Sequence, residues 1–230
     1  EKAAIIRSGV ALSARQEPVV EAVLARRATL VGVPLLVEGR DLRVRVRGAS
    51  LDGQWLDLEG PGWRLDDVRC GLLGVFQPGN ALLAAGAARA LGAGDAAIRA
   101  GLDRAHWPGR FQLIRRDPPV IVDGAHNPAG ARALAASLEA YFPGRRVTFV
   151  VGTSEDKDRT GILAALLPLA ERVICTAAHH PRAASPASLA EFARSLVGSG
   201  TTRVDTAATP TEALQMALSE DLTPTVCVAG

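Results

Sequence analysis

Short apolar runs that alternate with stretches of helical spacing fill the second half of the chain, and they leave few folds open. Val120-Ile121-Val122 precedes a helix predicted over Pro128–Tyr141. Val147–Val151 precedes one over about 159–170, and Val173-Ile174-Cys175 one over about 186–196. A weak strand near Val204 precedes a helix over about 211–218, and residues 225–228 form a last apolar run. Runs of this length without polar alternation are buried on both faces, as central parallel strands are. The helices between them imply a mostly parallel sheet covered on both sides. Sheets of that kind bind ligands beyond the carboxyl ends of their strands.

The first half has a different texture. Val20, Val23 and Leu24 predict a helix over about 17–27. Leu42-Arg43-Val44-Arg45-Val46-Arg47 alternates strictly, as a half-buried strand does, and Asp52-Gly53 turns it into a hairpin with Trp55-Leu56-Asp57-Leu58. An alanine-rich helix is predicted over about 80–91. Another is predicted over about 95–105, with Asp95 as its N-cap. The expected fold is α/β, with residues 1 to about 112 as one mixed region and a mostly parallel sheet with helices on both faces from about Ile114 onward.

Composition narrows the function classes. Lys and Arg total 26 against 24 Asp and Glu, a net +2, which argues against a nucleic-acid binder. No apolar run approaches the roughly 18 residues of a membrane span. Cys70, Cys175 and Cys227 have neither CxxC nor zinc spacing and lie in apolar contexts, as buried, inert thiols of a reducing compartment do. Lys2 and Lys157 are the two lysines, so chemistry that demands a lysine has two candidates. The start at Glu1-Lys2-Ala3 and the stop in a strand at Gly230 are expected of a fragment cut at both ends.

Polar residues gather where the apolar runs end. After Val122, Asp123-Gly124 turns the chain, Asn127 is placed as an N-cap and Pro128 as the first helical residue. Asp123 and His126 then lie beside a helix N-terminus, which favours anions such as phosphate. An ordinary turn and helix start would use the same residues. The second run ends in Ser154-Glu155-Asp156-Lys157-Asp158, where Lys157 could meet an anion or the acids could simply cap the next helix. The third leads to His179, His180 and Arg182; the histidines read as solvated and Arg182 as a candidate anion ligand. Asn80 could cap its helix or read a base edge, and Arg110 could aim a guanidinium at phosphates. There is no GxxxxGK[ST] loop, GxSxG elbow or HExxH; Gly92-Ala93-Gly94 with Ala97 follows a helix and is no dinucleotide fingerprint.

Taken in order, several stretches resemble folylpolyglutamate synthase/dihydrofolate synthase, a branch of the Mur ligase superfamily. EKAAIIRSGV from Glu1 resembles the family's EKAGIIKxGxP, and LLGVFQPGNA from Leu72 its LLGxHQxxNA. Trp107-Pro108-Gly109-Arg110 resembles WPGR, and Asp123 to Pro128 matches DGAHNP throughout. Residues 152–158 and Pro181-Arg182-Ala183 resemble two later stretches.

The resemblance implies a partial central ATP-binding domain over 1–112 and a Rossmann-like ligase domain over 113–230. It implies ATP- and Mg2+-dependent addition of L-glutamate to dihydropteroate or folate through an acyl phosphate, in the cytoplasm, by a monomer with small-molecule substrates. By motif, Asn80 and Asp123 would contact the nucleoside end of ATP, Arg110 its phosphates, and His126 would lie nearby. Lys2 resembles the family's carbamylated lysine, an anion able to sit near magnesium. Phe76 stands where the family has His, and Ala4 where it usually has Gly. The P-loop and the other magnesium ligands would precede Glu1, so this stretch is expected to be inactive alone. A Mur ligase acting on a UDP-sugar cell-wall precursor, a non-catalytic nucleotide-binding module and a Rossmann-like domain with no nucleotide role are the competing readings.

Overall fold

The computed structural model describes residues 2–219 and 225–230, except the side chain of Lys2. Contacts divide the chain into two units, Glu1–His106 and Trp107–Gly230.

In the first unit, two short parallel strands, β1 (Ala11–Ser13) and β2 (Leu35–Val37), flank helix α1 (Pro18–Leu30). The predicted helix forms, but Val20 and Val23 stay exposed; only Leu24 joins a small cluster around Ile6, Ala28 and Val33. Among the described residues of this unit nothing covers that face. Strands β3 (Arg43–Ser50), β4 (Gly53–Gly60) and β5 (Trp63–Cys70) form an antiparallel sheet in that order.

The β3–β4 hairpin is the one expected; β5 has no period-two signature. Its register explains why. Leu65 and Val68 both point into the core because Asp66 and Asp67 together oppose Asp57 in a bulge. Asp67 takes φ 53° there, and its N–H donates to Asp57 Oδ1 at 2.9 Å. On edge strand β3, Val44 packs on the core while Val46 stays exposed beside a second bulge.

Helices α2 (Gln77–Ala90) and α3 (Asp95–Asp103) bury one face of this sheet through Ala81, Leu82, Ala85, Ile98 and Leu102. Helix α2 starts at Gln77, so Asn80 lies inside its first turn and does not cap it. Gly94 occupies the N-cap of α3, and Asp95 pairs instead with Arg89. Glycine is tolerated at an N-cap, which left the acid free for the ion pair.

The second unit holds a six-stranded sheet in the order β10-β9-β8-β11-β7-β6. Strand β6 (Gln112–Arg116) pairs antiparallel at the edge, while β7 (Pro119–Asp123), β8 (Val147–Val151), β9 (Ala170–Cys175), β10 (Arg203–Thr206) and β11 (Thr225–Ala229) are parallel. From β7 through β8 and β9 to β10 the chain steps one way across the sheet, through α4 (Pro128–Tyr141), α5 (Arg159–Leu166) and α6 (Pro186–Val197). It then steps back to β11 through α7 (Pro210–Leu218).

Right-handed crossovers put those two groups of helices on opposite faces. Accordingly α5 packs between α4 and α6, touching both, and Ala213 and Ala217 of α7 pack on Val120, Val150, Ile174 and Val226. Helix α5 stops short of the predicted position 170: Pro168 cannot continue it, and Leu167–Leu169 form a 3-10 turn into β9. All three cysteines are buried and free, and burial raises the pKa of the Cys175 thiol to about 12.

Candidate nucleotide site

The carboxyl ends of β7, β8 and β11 meet at one edge of the second sheet. Ala229 pairs with both Asp123 and Val151, and the Gly230 N–H reaches the Asp123 carbonyl at 3.3 Å. The loop that enters β6 folds over the end of β7. There the Gly124 N–H donates to the Gly109 carbonyl at 2.8 Å, and the Phe111 N–H donates to Asp123 Oδ2 at 2.7 Å. Asp123 is buried, and desolvation raises its pKa above the ordinary value; the Phe111 and Ala125 N–H bonds and the charge of Arg110 pull the other way without overcoming it.

Arg110 is exposed between these two anchors. Among the described residues its one hydrogen bond runs from Nη1 to the Gly124 carbonyl at 3.4 Å, which leaves its other donors for solvent or an anion. His126 places Nδ1 2.8 Å from the same carbonyl. A carbonyl only accepts, so this contact needs the proton on Nδ1 and turns Nε2 outward. Asn127 caps α4, its Oδ1 accepting from the Gly130 N–H at 2.8 Å, with Pro128 in the first turn. The structure therefore brings Arg110, Asp123 and His126 together at a helix N-terminus.

The neighbouring strand ends are stitched to each other. Ala184 N–H donates to the Thr153 carbonyl at 2.8 Å and Glu155 N–H to the Arg182 carbonyl at 2.9 Å. Asp158 caps α5 through the Gly161 N–H at 2.9 Å, and Lys157 faces Asp156 at 3.8 Å. His179 and His180 are exposed, and the Arg182 guanidinium has no partner among the described residues.

Asn80 belongs to the first unit. It is exposed, and its Nδ2 donates to Oε1 of the buried Gln77 at 3.0 Å. Gln54 pins the segment before it, donating to the carbonyls of Leu72 at 2.9 Å and Gly74 at 3.1 Å. Lys2 begins a 3-10 turn, and its side chain lies outside the described residues. Sequence reasoning missed Gln77, which a three-residue spacing from Asn80 on a helix could have flagged, and Phe111, whose φ of 45° leaves no trace in the sequence.

The Mur ligase glutamate ligase domain matches residues 109–230 of the chain. The chain belongs to the Mur ligase family. Its relatives include the dihydrofolate synthase/folylpolyglutamate synthase of Mycobacterium tuberculosis, 38% identical over 219 residues that cover 91% of this chain and 44% of the relative. The Escherichia coli enzyme of the same name is 40% identical over 119 residues, 51% of this chain and 28% of that one. Among solved structures, the M. tuberculosis folylpolyglutamate synthase complexed with ADP and AMPPCP superposes with a TM-score of 0.90 at 34% identity, covering 99% of this chain and 54% of that one. E. coli FolC in complex with DHPP and ADP gives 0.83 at 30% identity, covering all of this chain and 52% of that one. This Mur ligase chain thus spans about half the length of the relatives it matches.

Proposed function

We propose that this Mur ligase chain forms part of the ATP-handling machinery of an enzyme that joins L-glutamate to dihydropteroate or folate. In that reaction a carboxylate oxygen attacks the γ-phosphorus of ATP, the bridging P–O bond breaks, and ADP leaves an acyl phosphate behind. The glutamate amine then attacks the acyl carbon and gives up a proton; phosphate departs and an amide remains. Aligning two weak reactants and neutralising the triphosphate are the main demands.

The observation that carries the reading is the Arg110 guanidinium, held over the carboxyl end of β7 beside a helix N-terminus with most of its donors unspent. It supports Arg110 at the phosphates, with His126 nearby through Nε2. Asp123 and Asn80 serve the nucleoside end in this reading, and residues 1–112 supply the C-terminal part of the central ATP-binding domain. The ADP complexes of the relatives support nucleotide binding at such a site.

Among the described residues, no group of three or more His, Cys, Asp or Glu side chains could hold a metal ion. The described residues therefore supply no complete magnesium site by themselves. A Lys2 carbamate is this chain's proposed contribution to it. No helix among the described residues is long and apolar enough to cross a membrane. The reading carries small-molecule substrates and a monomer acting in the cytoplasm.

The full gene product is expected to turn over ATP to ADP repeatedly only when L-glutamate and dihydropteroate or a reduced folate are both present. Arg110→Ala should weaken ATP binding about tenfold to a hundredfold, the worth of charge-assisted hydrogen bonds. Turnover with a UDP-sugar acceptor in place of the folate would move the chain to the cell-wall branch. Nucleotide binding without ligation to either acceptor would leave a binding module. Unchanged ATP affinity in both Arg110→Ala and Asp123→Ala would remove the nucleotide site.

A further inference from the structure

Arg110 lies between two residues in left-handed conformations, Gly109 at φ 69° and Phe111 at φ 45°. Glycine adopts that region freely; for a bulky aromatic residue it is rare and is kept only where the surroundings over-determine it. At Phe111 they do. The ring is 1% exposed and packs on Tyr141 with centroids 5.4 Å apart, and the N–H donates to Asp123 Oδ2 at 2.7 Å. On the other side the Gly109 carbonyl accepts from the Gly124 N–H at 2.8 Å. Both neighbours of Arg110 are therefore fastened to the end of β7, while its own side chain projects into solvent. A long arginine keeps rotamer freedom, but the direction in which it leaves the backbone is set.

We propose that Phe111 is a positioning residue for Arg110: its buried ring and its hydrogen bond to Asp123 hold the backbone that aims the guanidinium at the nucleotide phosphates. The proposal rests on the nucleotide reading above. It gives the Asp123 carboxylate a second task, performed through Arg110 and not on the ligand. The left-handed strain is kept because relaxing Phe111 would break the N–H bond to Asp123 and withdraw the ring from Tyr141.

A double-mutant cycle on the full gene product tests this, with ATP and magnesium as the probe in a calorimetric titration and thermal unfolding run on every variant. In the wild-type background, Phe111→Ala is expected to weaken ATP binding about tenfold; in the Arg110→Ala background the same change should cost less than about twofold. Phe111→Leu, which refills most of the volume, is expected to hold affinity within about threefold of wild type.

A merely structural phenylalanine would lower the unfolding temperature and weaken binding by the same factor in both backgrounds, and that result overturns the proposal. So does full affinity in Phe111→Ala. If Arg110→Ala itself leaves ATP affinity unchanged, Arg110 does not meet the phosphates and this inference falls with that assignment; if Asp123→Ala is unchanged as well, the nucleotide reading falls too. A loss in Arg110→Ala with no coupling to Phe111 sinks the inference alone. If Phe111→Ala does not fold, Tyr141→Leu replaces it in the cycle by taking away the ring's partner, where coupled losses support positioning and additive losses refute it.

Discussion

Gly124 sits beneath the Arg110 side chain, and replacing it with alanine separates folding from binding. A Cβ at Gly124 would lie 3.2 Å from Arg110 Nη1 and 3.5 Å from the Gly109 carbonyl oxygen. Its backbone is outside the left-handed region, so alanine fits it, and losing glycine's freedom in the unfolded chain stabilises by about 0.4–1 kcal/mol. Against that stands the long, exposed bond from Nη1 to the Gly124 carbonyl, worth no more than about 1 kcal/mol. The crowded atom is the far end of a flexible side chain, which can give by a few tenths of an ångström. The two terms offset, and the unfolding temperature should move by no more than about 4 °C. The guanidinium, however, is pushed off the position from which it would meet phosphate, and charge-assisted bonds of about 1.5–3 kcal/mol are at stake. Gly124→Ala is therefore expected to melt like the wild type and to bind ATP about tenfold or more weakly. Unchanged ATP affinity would show that Arg110 does not bind from this pose, and a stability loss above about 3 kcal/mol would show that the neighbour cannot yield.

Gly161→Ala should behave in the opposite way. Its Cβ would lie 2.6 Å from the rigid Pro128 ring and 2.7 Å from the capping Asp158 carboxylate, so a loss of about 2–4 kcal/mol is expected in urea unfolding, and a change under about 0.5 kcal/mol would contradict the packing. Asp123 has a raised folded-state pKa, so its contribution to stability is fully present below the unfolded value of about 3.8 and is lost as pH rises through the folded value. Asp123→Asn removes that titration; its stability relative to wild type should rise with pH from about 4 upward, and a pH-independent difference would refute the assignment. The buried Cys175 thiol, raised to about 12, should resist iodoacetamide at pH 8 in the folded protein and react in urea; native-state labelling at the rate of a free thiol would show that the sheet edge opens.

In the second unit each expected strand and helix appears within a few residues, because burial on both faces and helical crossovers write different periods into the sequence. Where the reading slipped, one local conformation outweighed the pattern. Pro168 ended α5 early, and the Asp66–Asp67 bulge let Leu65 and Val68 face the same way in β5. Sequence also showed that α1 is helical without showing that Val20 and Val23 would stay exposed, since periodicity reports an apolar face and not what covers it.

For the site, the motifs identified residues but not their employment. Asp-Gly and Asn-Pro have ordinary structural tasks, and the structure shows both performed: Gly124 is bonded to Gly109, and Asn127 caps α4. Function has to lie in what those tasks leave over. At β7 that remainder is most of the Arg110 guanidinium and the outward Nε2 of His126. At β8 little remains, because Asp158 is occupied as a cap and Lys157 faces Asp156. At β9 the remainder is the Arg182 guanidinium and the buried hydroxyl of Thr176, which has no hydrogen-bond partner among the described residues. In Asn80 one amide N–H is taken by Gln77, and the carboxamide oxygen is free of any partner among the described residues. Subtracting structural employment therefore ranks Arg110 above Lys157 as an anion ligand, an order that charge and spacing alone left open.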